Sequence, residues 1–454
     1  MHQTLRSKLG HYSPKLIKDV YQIFYTRFQE FQADRSFARK VCPTVKKRSE
    51  ASDHIICIVV DGLRADTVTE DETTYVGGLS GTTAVAPATW TFPSVSSLLT
   101  GQYPHQHGAI RQSDAPTKSD DEGMTLPPKI PDDLATLPEY LAGVGYDTYG
   151  AFGFQMPFLA ASGRFGTHKL YRNGKASEIL GDYLKWLDDR QDGTTFAYLH
   201  LSDPHEPVLP PKRYARSHNV DLDIPHISQW NYTDTSEGKD ARRYRTHRKR
   251  LYEAAVEYVD DELKTFFDQI SKRLNSEPTV IVTGDHGEAF WEHSSFEAEQ
   301  FYHPRSEYCV GHGGTPYESV IRVPLCTAGI TFDSDPASLI DIAPTILDEV
   351  AAWVPDEMAG YSHRRDIPED RILLAESTYF GYEKKAVTMG DWKLIVSIGD
   401  DRRIGFSLPE EIPTKLPEEI QTTLEAELPP WPDGGESQPV SSRVQKRLSD
   451  LGYT

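Results

Sequence analysis

The sequence predicts an α/β protein: a doubly wound, mostly parallel sheet with helices on both faces, and a small β-hairpin region near the C-terminus. Three observations predict it. Short continuous apolar runs, suited to buried parallel strands, alternate along the chain with longer stretches of helical periodicity. Several of those runs end in Asp, Gly or His, the residue types of a ligand-binding sheet edge. Towards the C-terminus two apolar runs instead flank a Gly390–Asp391 turn signal.

Residues 1–48 come first and hold eleven Lys or Arg against three Asp or Glu. Here "SPKLIKDVYQIFYTRFQEF" places Leu16, Ile17, Val20, Phe24, Phe28 and Phe31 at helical spacing, with Ser13 as N-cap and Pro14 in the first helical position. The spacing predicts a basic amphipathic helical extension whose apolar stripe packs on the rest of the chain or on a second subunit. The alternative is peripheral contact of residues 14–34 with an anionic membrane surface.

The run "HIICIVVDG" (54–62) reads as a buried parallel strand with a functional carboxyl end. "PSVSSLLT" and "DLATLPEYLAGVGY" read as helices, and "DTYGAFG" (147–153) as the next strand. "KASEILGDYLKWLDDR" is an amphipathic helix, and "TTFAYLHLSDPHEP" a strand running into a polar loop. Residues 209–247 are polar and predict a surface insertion. "RLYEAAVEYVDDELKTFFDQISKRL" is a long helix that feeds the strand "PTVIVTGDHGEAF". The strand "SVIRVPLCTAG" and the helix "ASLIDIAPTILDEVAAW" follow, then the strand "LLAESTYF" and the hairpin "KAVTMGDWKLIVS" (385–397). The expected division is an extension over 1–48, an α/β domain over 49–400, and an irregular acidic tail over 401–454.

The chain has 454 residues, 38% apolar and 26% charged, as in ordinary soluble globular proteins. Its net charge of −20 argues against nucleic acid as the main partner, because phosphate binding needs a basic face. Cys42, Cys57, Cys309 and Cys326 are widely spaced and form no C-x-x-C pair, so neither a zinc–thiolate site nor a disulfide framework is expected. No apolar run reaches the length of a membrane span and no secretory apolar region opens the chain, so the expected location is cytoplasmic.

Three strands end in chemistry-bearing loops: Asp61, Asp203 with His205, and Asp285 with His286. In an open α/β sheet such loops converge on one site despite their separation along the chain. Two carboxylates and an imidazole suit one divalent cation, Ca²⁺, Mg²⁺, Mn²⁺ or Zn²⁺. Gly62, Gly284 and Gly287 beside them allow close backbone approach. Thr91 falls at the entrance of the helix that Pro93 opens, where free N–H groups and the positive end of the dipole favour an anion. A hydroxyl there could act as a nucleophile beside a cation. The plainer reading is that Thr91 or Thr89 caps the helix.

Taken together these blocks resemble the alkaline phosphatase superfamily, specifically its sulfatase-like branch. "TFPSVSSLLTGQYPHQHG" resembles the sulfatase segment in which C/S-x-P-S-R precedes a helix and "LLTGRYPHRHG". "IVVDGLRADTV" and "VTGDHGEAF" resemble its two metal-binding segments, and "LHLSDPHEP" its substrate-anion histidine segment. "GHGGTPYESVIRVPL" and "AVTMGDWKLI" resemble its late strand and its C-terminal hairpin. The blocks run in family order from about residue 54 to 397.

The resemblance implies an alkaline-phosphatase-like fold, with a catalytic domain over 49–400 and one divalent metal ion held by Asp61, Thr91, Asp285 and His286. It implies catalytic roles for Thr91, His205 and His312, the two histidines facing the substrate anion or leaving group. Gly62 stands where many members have a second acidic ligand. Thr91 stands where sulfatases have the Cys or Ser that becomes formylglycine, and Val95 where their motif has Arg. Thr nucleophiles occur in the superfamily among nucleotide phosphodiesterases and phosphoglycerol or phosphoethanolamine transferases. The expected activity is therefore hydrolysis of sulfate or phosphate esters, with phosphoesters favoured. The alternatives are head-group transfer on lipids or glycans, and a non-catalytic binding relative. The expected substrate is a small-molecule, glycan or lipid-head-group ester, with residues 110–135 and 209–247 as the specificity region. Arg64 is expected in an ion pair, and His105 and His107 in support of the loop behind Thr91. A second metal would draw on Asp203, His205 and His312.

Overall fold

The computed structural model describes residues 14–69, 73, 75–111, 125–304, 310–332, 334–431 and 438–439. An N-terminal helix, α1 (Pro14–Phe37), precedes the first strand, β1 (His54–Val60). The main sheet continues with β2 (Ser80–Val85), β3 (Asp147–Phe152), β4 (Thr167–Leu170), β5 (Thr195–Leu201), β6 (Thr279–Gly284), β7 (Arg322–Ala328) and β8 (Ala337–Ser338). Its spatial order is β8-β2-β7-β6-β1-β5-β3-β4. Every pairing is parallel except those of β7 with β2 and β6.

The sheet is covered on both faces, which explains why β1 is apolar at nearly every position. Ile55, Cys57 and Val59 enter one core with Trp90, Phe92, Val95, Leu98 and Leu99 of the segment around α2 (Thr91–Thr100). Ile56, Ile58 and Val60 point the opposite way and meet the helices α3 (Ala176–Leu187) and α4 (Lys239–Ile270), through residues such as Tyr183, Tyr252 and Phe266. This alternation is the two-residue period of a strand. The loops bearing Asp61, His205 and Asp285 thus leave one carboxyl edge, from the adjacent strands β5, β1 and β6.

The N-terminal helix forms where the sequence places it, but it buries a different face. Phe24, Phe28 and Phe31 are exposed, while Glu30 and Ala33 are buried against β4. The reason is the sheet edge. Leu170 N–H donates to Glu30 Oε1 at 2.9 Å, and His168 N–H to Asp34 Oδ1 at 2.8 Å. A strand at the end of a sheet carries unpaired backbone donors, and two carboxylates satisfy them here better than phenyl rings would.

Residues 209–247 are less of a surface insertion than their polarity predicts. The helix α4 begins at Lys239, inside that range. Its first turns are crowded with Arg, Lys and His, and only Ala241 and Tyr244 mark their inner face. Val220, Ile224 and Ile227 join Val208, Ala215, Tyr244, Leu251 and Ala255 in a separate apolar cluster.

The stretch from 401 is not an irregular tail over its described part. The predicted hairpin belongs to a five-stranded antiparallel sheet of β9 (Leu373–Ala375), β10 (Lys385–Met389), β11 (Trp392–Ser397), β12 (Arg402–Ser407) and β13 (Ile412–Pro413), in that order. A last helix, α5 (Glu418–Ala426), packs Leu424 on Val387, Leu394 and Val396. Of the β12 residues only Phe406 is buried, so its sequence reads as polar. Residues 432–437 and 440–454 of the expected tail, and 112–124 of the expected specificity region, lie outside the described residues.

Candidate active site

Asp61 is the first residue past β1, and its N–H donates to Leu201 O of β5 at 2.8 Å. Gly62 follows at φ +71, a left-handed conformation that suits glycine and turns the chain sharply out of the strand. Asp285 and His286 leave the adjacent strand β6. Gly287 is needed there, since a Cβ would lie 2.2 Å from Ser319 O.

Thr91 is the first residue of α2, and Trp90 precedes it as N-cap without a side-chain capping bond. The capping role does not describe Thr91. Its Oγ1 lies 3.3 Å from Asp61 Oδ2 and 3.3 Å from His286 Nε2. Ser94 Oγ, one turn on, donates to Asp285 O at 2.5 Å and ties α2 to the β6 edge. Pro93 costs nothing in this first turn, where its missing N–H would have no helical acceptor.

The ligand atoms of Asp61, Asp285 and His286 all lie within 4.8 Å of one another, and all three residues are buried. Asp285 Oδ1 accepts from Gly62 N–H at 3.3 Å and from His286 N–H at 3.1 Å. Asp61 Oδ1 and Asp285 Oδ2, by contrast, are buried without a hydrogen-bond partner. Buried carboxylate oxygens without donors are costly unless a positive group meets them. The donor set therefore fits a divalent cation. His286 agrees: Nδ1 lies 2.8 Å from Gly287 O, which directs Nε2 to Thr91 and the two carboxylates. Burial opposes a charge on this imidazole, but Asp285 and Asp61 outweigh it and hold its pKa above the ordinary value. A cation at Nε2 would take the place of that proton. Burial likewise opposes ionisation of Asp61, yet His205, His200 and His286 hold its pKa well below the usual carboxylate range.

Two more histidines overlook this group. His205 Nδ1 lies 2.7 Å from Glu206 O, and its Nε2 is 3.9 Å from Asp61 Oδ1. His312 Nδ1 lies 3.0 Å from Glu288 Oε1, and its ring stacks on His286 with centroids 4.3 Å apart. The His205 and His312 centroids are 5.0 Å apart. Burial, with His286 alongside, lowers the His312 pKa from its ordinary value. A small cavity of about 30 Å³ opens on the His312 side, lined also by His293, Glu297 and His303. A second, of about 70 Å³, opens on the His205 side and includes Lys175, Asp203 and Glu206.

Other sequence candidates lie elsewhere. Asp203 accepts from Ala176 N–H at 2.8 Å and sits 3.4 Å from Lys175 Nζ; burial pushes its carboxyl up to about 6. Among the described residues, Asp203, His205 and His312 do not form a second ligand group. Arg64 pairs with Asp66 and Glu292. His107 Nε2 lies 2.9 Å from Ser97 Oγ and His105 Nδ1 2.7 Å from Glu376 Oε1, holding the loop that follows α2.

Three residues escape sequence reasoning. His200, inside β5, places Nε2 3.0 Å from Asp61 Oδ2, and Tyr198 OH lies 2.9 Å from His200 Nδ1. Glu288 is buried with Oε2 lacking a partner, 3.6 Å from where Gly62 would carry a Cβ. Its carboxylate thus stands beside the position where the resemblance expects a second acid. The available signals were a His in an otherwise apolar strand and an acid two residues past Asp-His.

The parallel sheet, the site at its carboxyl edge and the small antiparallel sheet define a protein of alkaline-phosphatase-like fold. Residues 55–350, more than half of the chain, match the family model described as Sulfatase, and the chain belongs to that family. It is 26% identical over 223 residues to an arylsulfatase of Clostridium perfringens, a match covering 42% of this chain and about two-fifths (41%) of that protein. Among solved structures, one bound to its substrate D-glucosamine-2-N,6-O-disulfate shares the fold at a TM-score of 0.59 and 16% identity, over 88% of this chain and 99% of that one. A phosphonate monoester hydrolase from Silicibacter pomeroyi does so at 0.55 and 15%, over 82% and 93%. An alkaline phosphatase superfamily protein from Vibrio parahaemolyticus gives 0.54 and 16%, over 88% and 93%.

Proposed function

We propose that this chain is a metal-dependent hydrolase of sulfate or phosphate esters in which Thr91 is the nucleophile, with phosphoesters the favoured substrates. The observation that carries the reading is the position of Thr91 Oγ1, 3.3 Å from both Asp61 Oδ2 and His286 Nε2 inside a buried carboxylate–imidazole set. Asp61, Asp285 and His286 would hold one divalent cation, which supplies a lowered hydroxyl pKa and neutralises charge on the ester.

Thr91 Oγ1, its proton lost to solvent, attacks the phosphorus or sulfur in line with the leaving oxygen. The Oγ1 bond forms as the leaving-group bond breaks, giving a covalent ester on Thr91. His312 or His205, both within reach of the same space, donates a proton to the departing oxygen. The histidine, now neutral, takes a proton from water as that water attacks the same central atom; Thr91 Oγ1 is expelled and the anion released. The N-terminus of α2, with Thr91 in its first turn, favours the anionic group in this position. The phosphoester preference rests on side-chain chemistry: threonine supplies a plain alcohol where sulfatases carry a formylglycine precursor. The chemistry of the Silicibacter pomeroyi structure, a phosphonate monoester hydrolase by its description, lies in the same direction.

The test is a screen of matched aryl sulfate, aryl phosphate and phosphate diester substrates against Mg²⁺, Mn²⁺, Ca²⁺ and Zn²⁺. The reading expects cation-dependent turnover with the phosphoesters fastest, and glycerol as competing acceptor to report any transferase activity. A protein that turns over none of these esters with any cation would be a non-catalytic relative.

A further inference from the structure

The helix α1 presents an outward face that the rest of the fold leaves unused. Ile23, Phe24, Phe28 and Phe31 are 62%, 70%, 53% and 59% exposed. Phe24, Phe28 and Phe31 follow the i, i+4, i+7 spacing of one helical stripe. Arg27 and Arg35 are exposed on the same helical side, and Arg39 is exposed two residues past the helix end. The acids of this segment whose side chains are described, Glu30 and Asp34, accept the Leu170 and His168 N–H groups of the edge strand β4, and the second oxygen of Glu30 pairs with Arg27 at 3.0 Å. With both acids engaged at β4, the exposed stripe carries phenyl rings and, beside them, the guanidinium groups of Arg35 and Arg39.

The mounting is firm. Lys40, just past the helix, pairs with Glu139 at 2.9 Å, and Glu139 pairs with the buried Arg164 at 3.0 Å.

We infer that this face docks the protein on an anionic lipid bilayer. Phenyl rings enter the acyl boundary while arginines keep their charge among the head groups. Charge selects this occupant. The first 48 residues carry eleven Lys or Arg and three Asp or Glu, in a chain whose net charge is −20. A zwitterionic surface would engage the rings alone. A second copy meeting this face across a two-fold axis would bring the Arg35 and Arg39 ends of two like-charged faces into one interface. The inference does not depend on the proposed activity, because the face lies on the helix that covers the far edge of the sheet order, at β4.

The experiment is co-sedimentation of the full chain with phosphatidylglycerol vesicles and with phosphatidylcholine vesicles, beside light scattering of the free protein. The wild type is expected to pellet with phosphatidylglycerol at least tenfold more strongly than with phosphatidylcholine. The triple variant Phe24→Ser, Phe28→Ser, Phe31→Ser is expected to lose that binding. The pair Arg35→Gln, Arg39→Gln is expected to weaken it while keeping the thermal midpoint of the wild type. Failure of the wild type to pellet with anionic vesicles would overturn the inference. So would equal pelleting of the triple variant, or a concentration-dependent dimer that the phenylalanine substitutions abolish. Turnover of a water-soluble ester is read separately, so loss of docking and loss of activity remain distinguishable.

Discussion

His200 Nε2 lies 3.0 Å from Asp61 Oδ2, across two neighbouring parallel strands. The register pairs Val59 with His200 and Val60 with Leu201, so the imidazole reaches the carboxylate just as β1 ends. Tyr198 OH in turn contacts His200 Nδ1. This chain fixes one oxygen of Asp61 and leaves the other, Oδ1, open towards His205 and His286. Partners behind a metal ligand commonly set its affinity within a range of about 10- to 100-fold. His200→Ala is therefore expected to weaken cation binding by about that factor, measured by calorimetric titration, with His200→Gln falling between. Unchanged affinity in His200→Ala would separate the chain from cation binding.

Cation binding is also expected to appear as stability. A ligand that binds only the folded state adds about 2.7 kcal/mol at a concentration 100-fold above its Kd. The thermal midpoint of the wild type should rise with the logarithm of cation concentration. Asp285→Asn, which neutralises one of the two partnerless buried oxygens, should flatten that rise.

The leaving group separates the roles of the two outer histidines. If His312 supplies the proton, His312→Ala should slow alkyl esters by about 10²- to 10⁴-fold and nitrophenyl esters far less, because a good leaving group needs no proton. Glu288→Gln keeps an oxygen to accept the His312 Nδ1–H but loses the charge, so its effect should be smaller and of the same selectivity. Equal losses on both ester types would assign His312 to binding.

Asp203 gives a pH dependence with a definite sign. Its folded pKa is raised to about 6, chiefly by burial, above an unfolded value of about 3.9. Between those values the unfolded state releases a proton that the folded state keeps, so stability falls as pH rises from about 4 to 6. Asp203→Asn removes this loss. Relative to wild type, the variant should gain on the order of 2 kcal/mol in unfolding free energy between pH 4 and pH 7.5. Parallel curves for the two proteins across that range would contradict the assignment.

The alternating runs, the strand ends and the Asp-Gly and Asp-His-Gly edges made the parallel sheet and the placement of Asp61, Asp285 and His286 legible in the sequence. Periodicity and turn residues are local, and so are the features they predict. What stayed hidden depends on partners distant in the chain. His200 reads as one more residue of a buried strand until β1 is laid beside it. Glu288 matters because Gly62 leaves space, and that relation exists only once both loops are folded. Apolar spacing alone points the Phe24, Phe28 and Phe31 face of α1 inward, because it outranks isolated acids in a pattern. The unpaired N–H groups of β4 reverse that choice. In β12 a solvated face and alternating arginines concealed a strand whose register with β11 is regular.

The most direct measurement of the central claim is the site of covalent modification. Rapid acid quench of the cation-loaded enzyme during turnover of an aryl phosphate, followed by peptide mass analysis, should find a phosphoryl group on the peptide holding Thr91. It should be absent from a Thr91→Ala variant that keeps the wild-type thermal midpoint and has lost activity. Full turnover by Thr91→Ala, or a phosphoryl group trapped on another residue, would contradict the account.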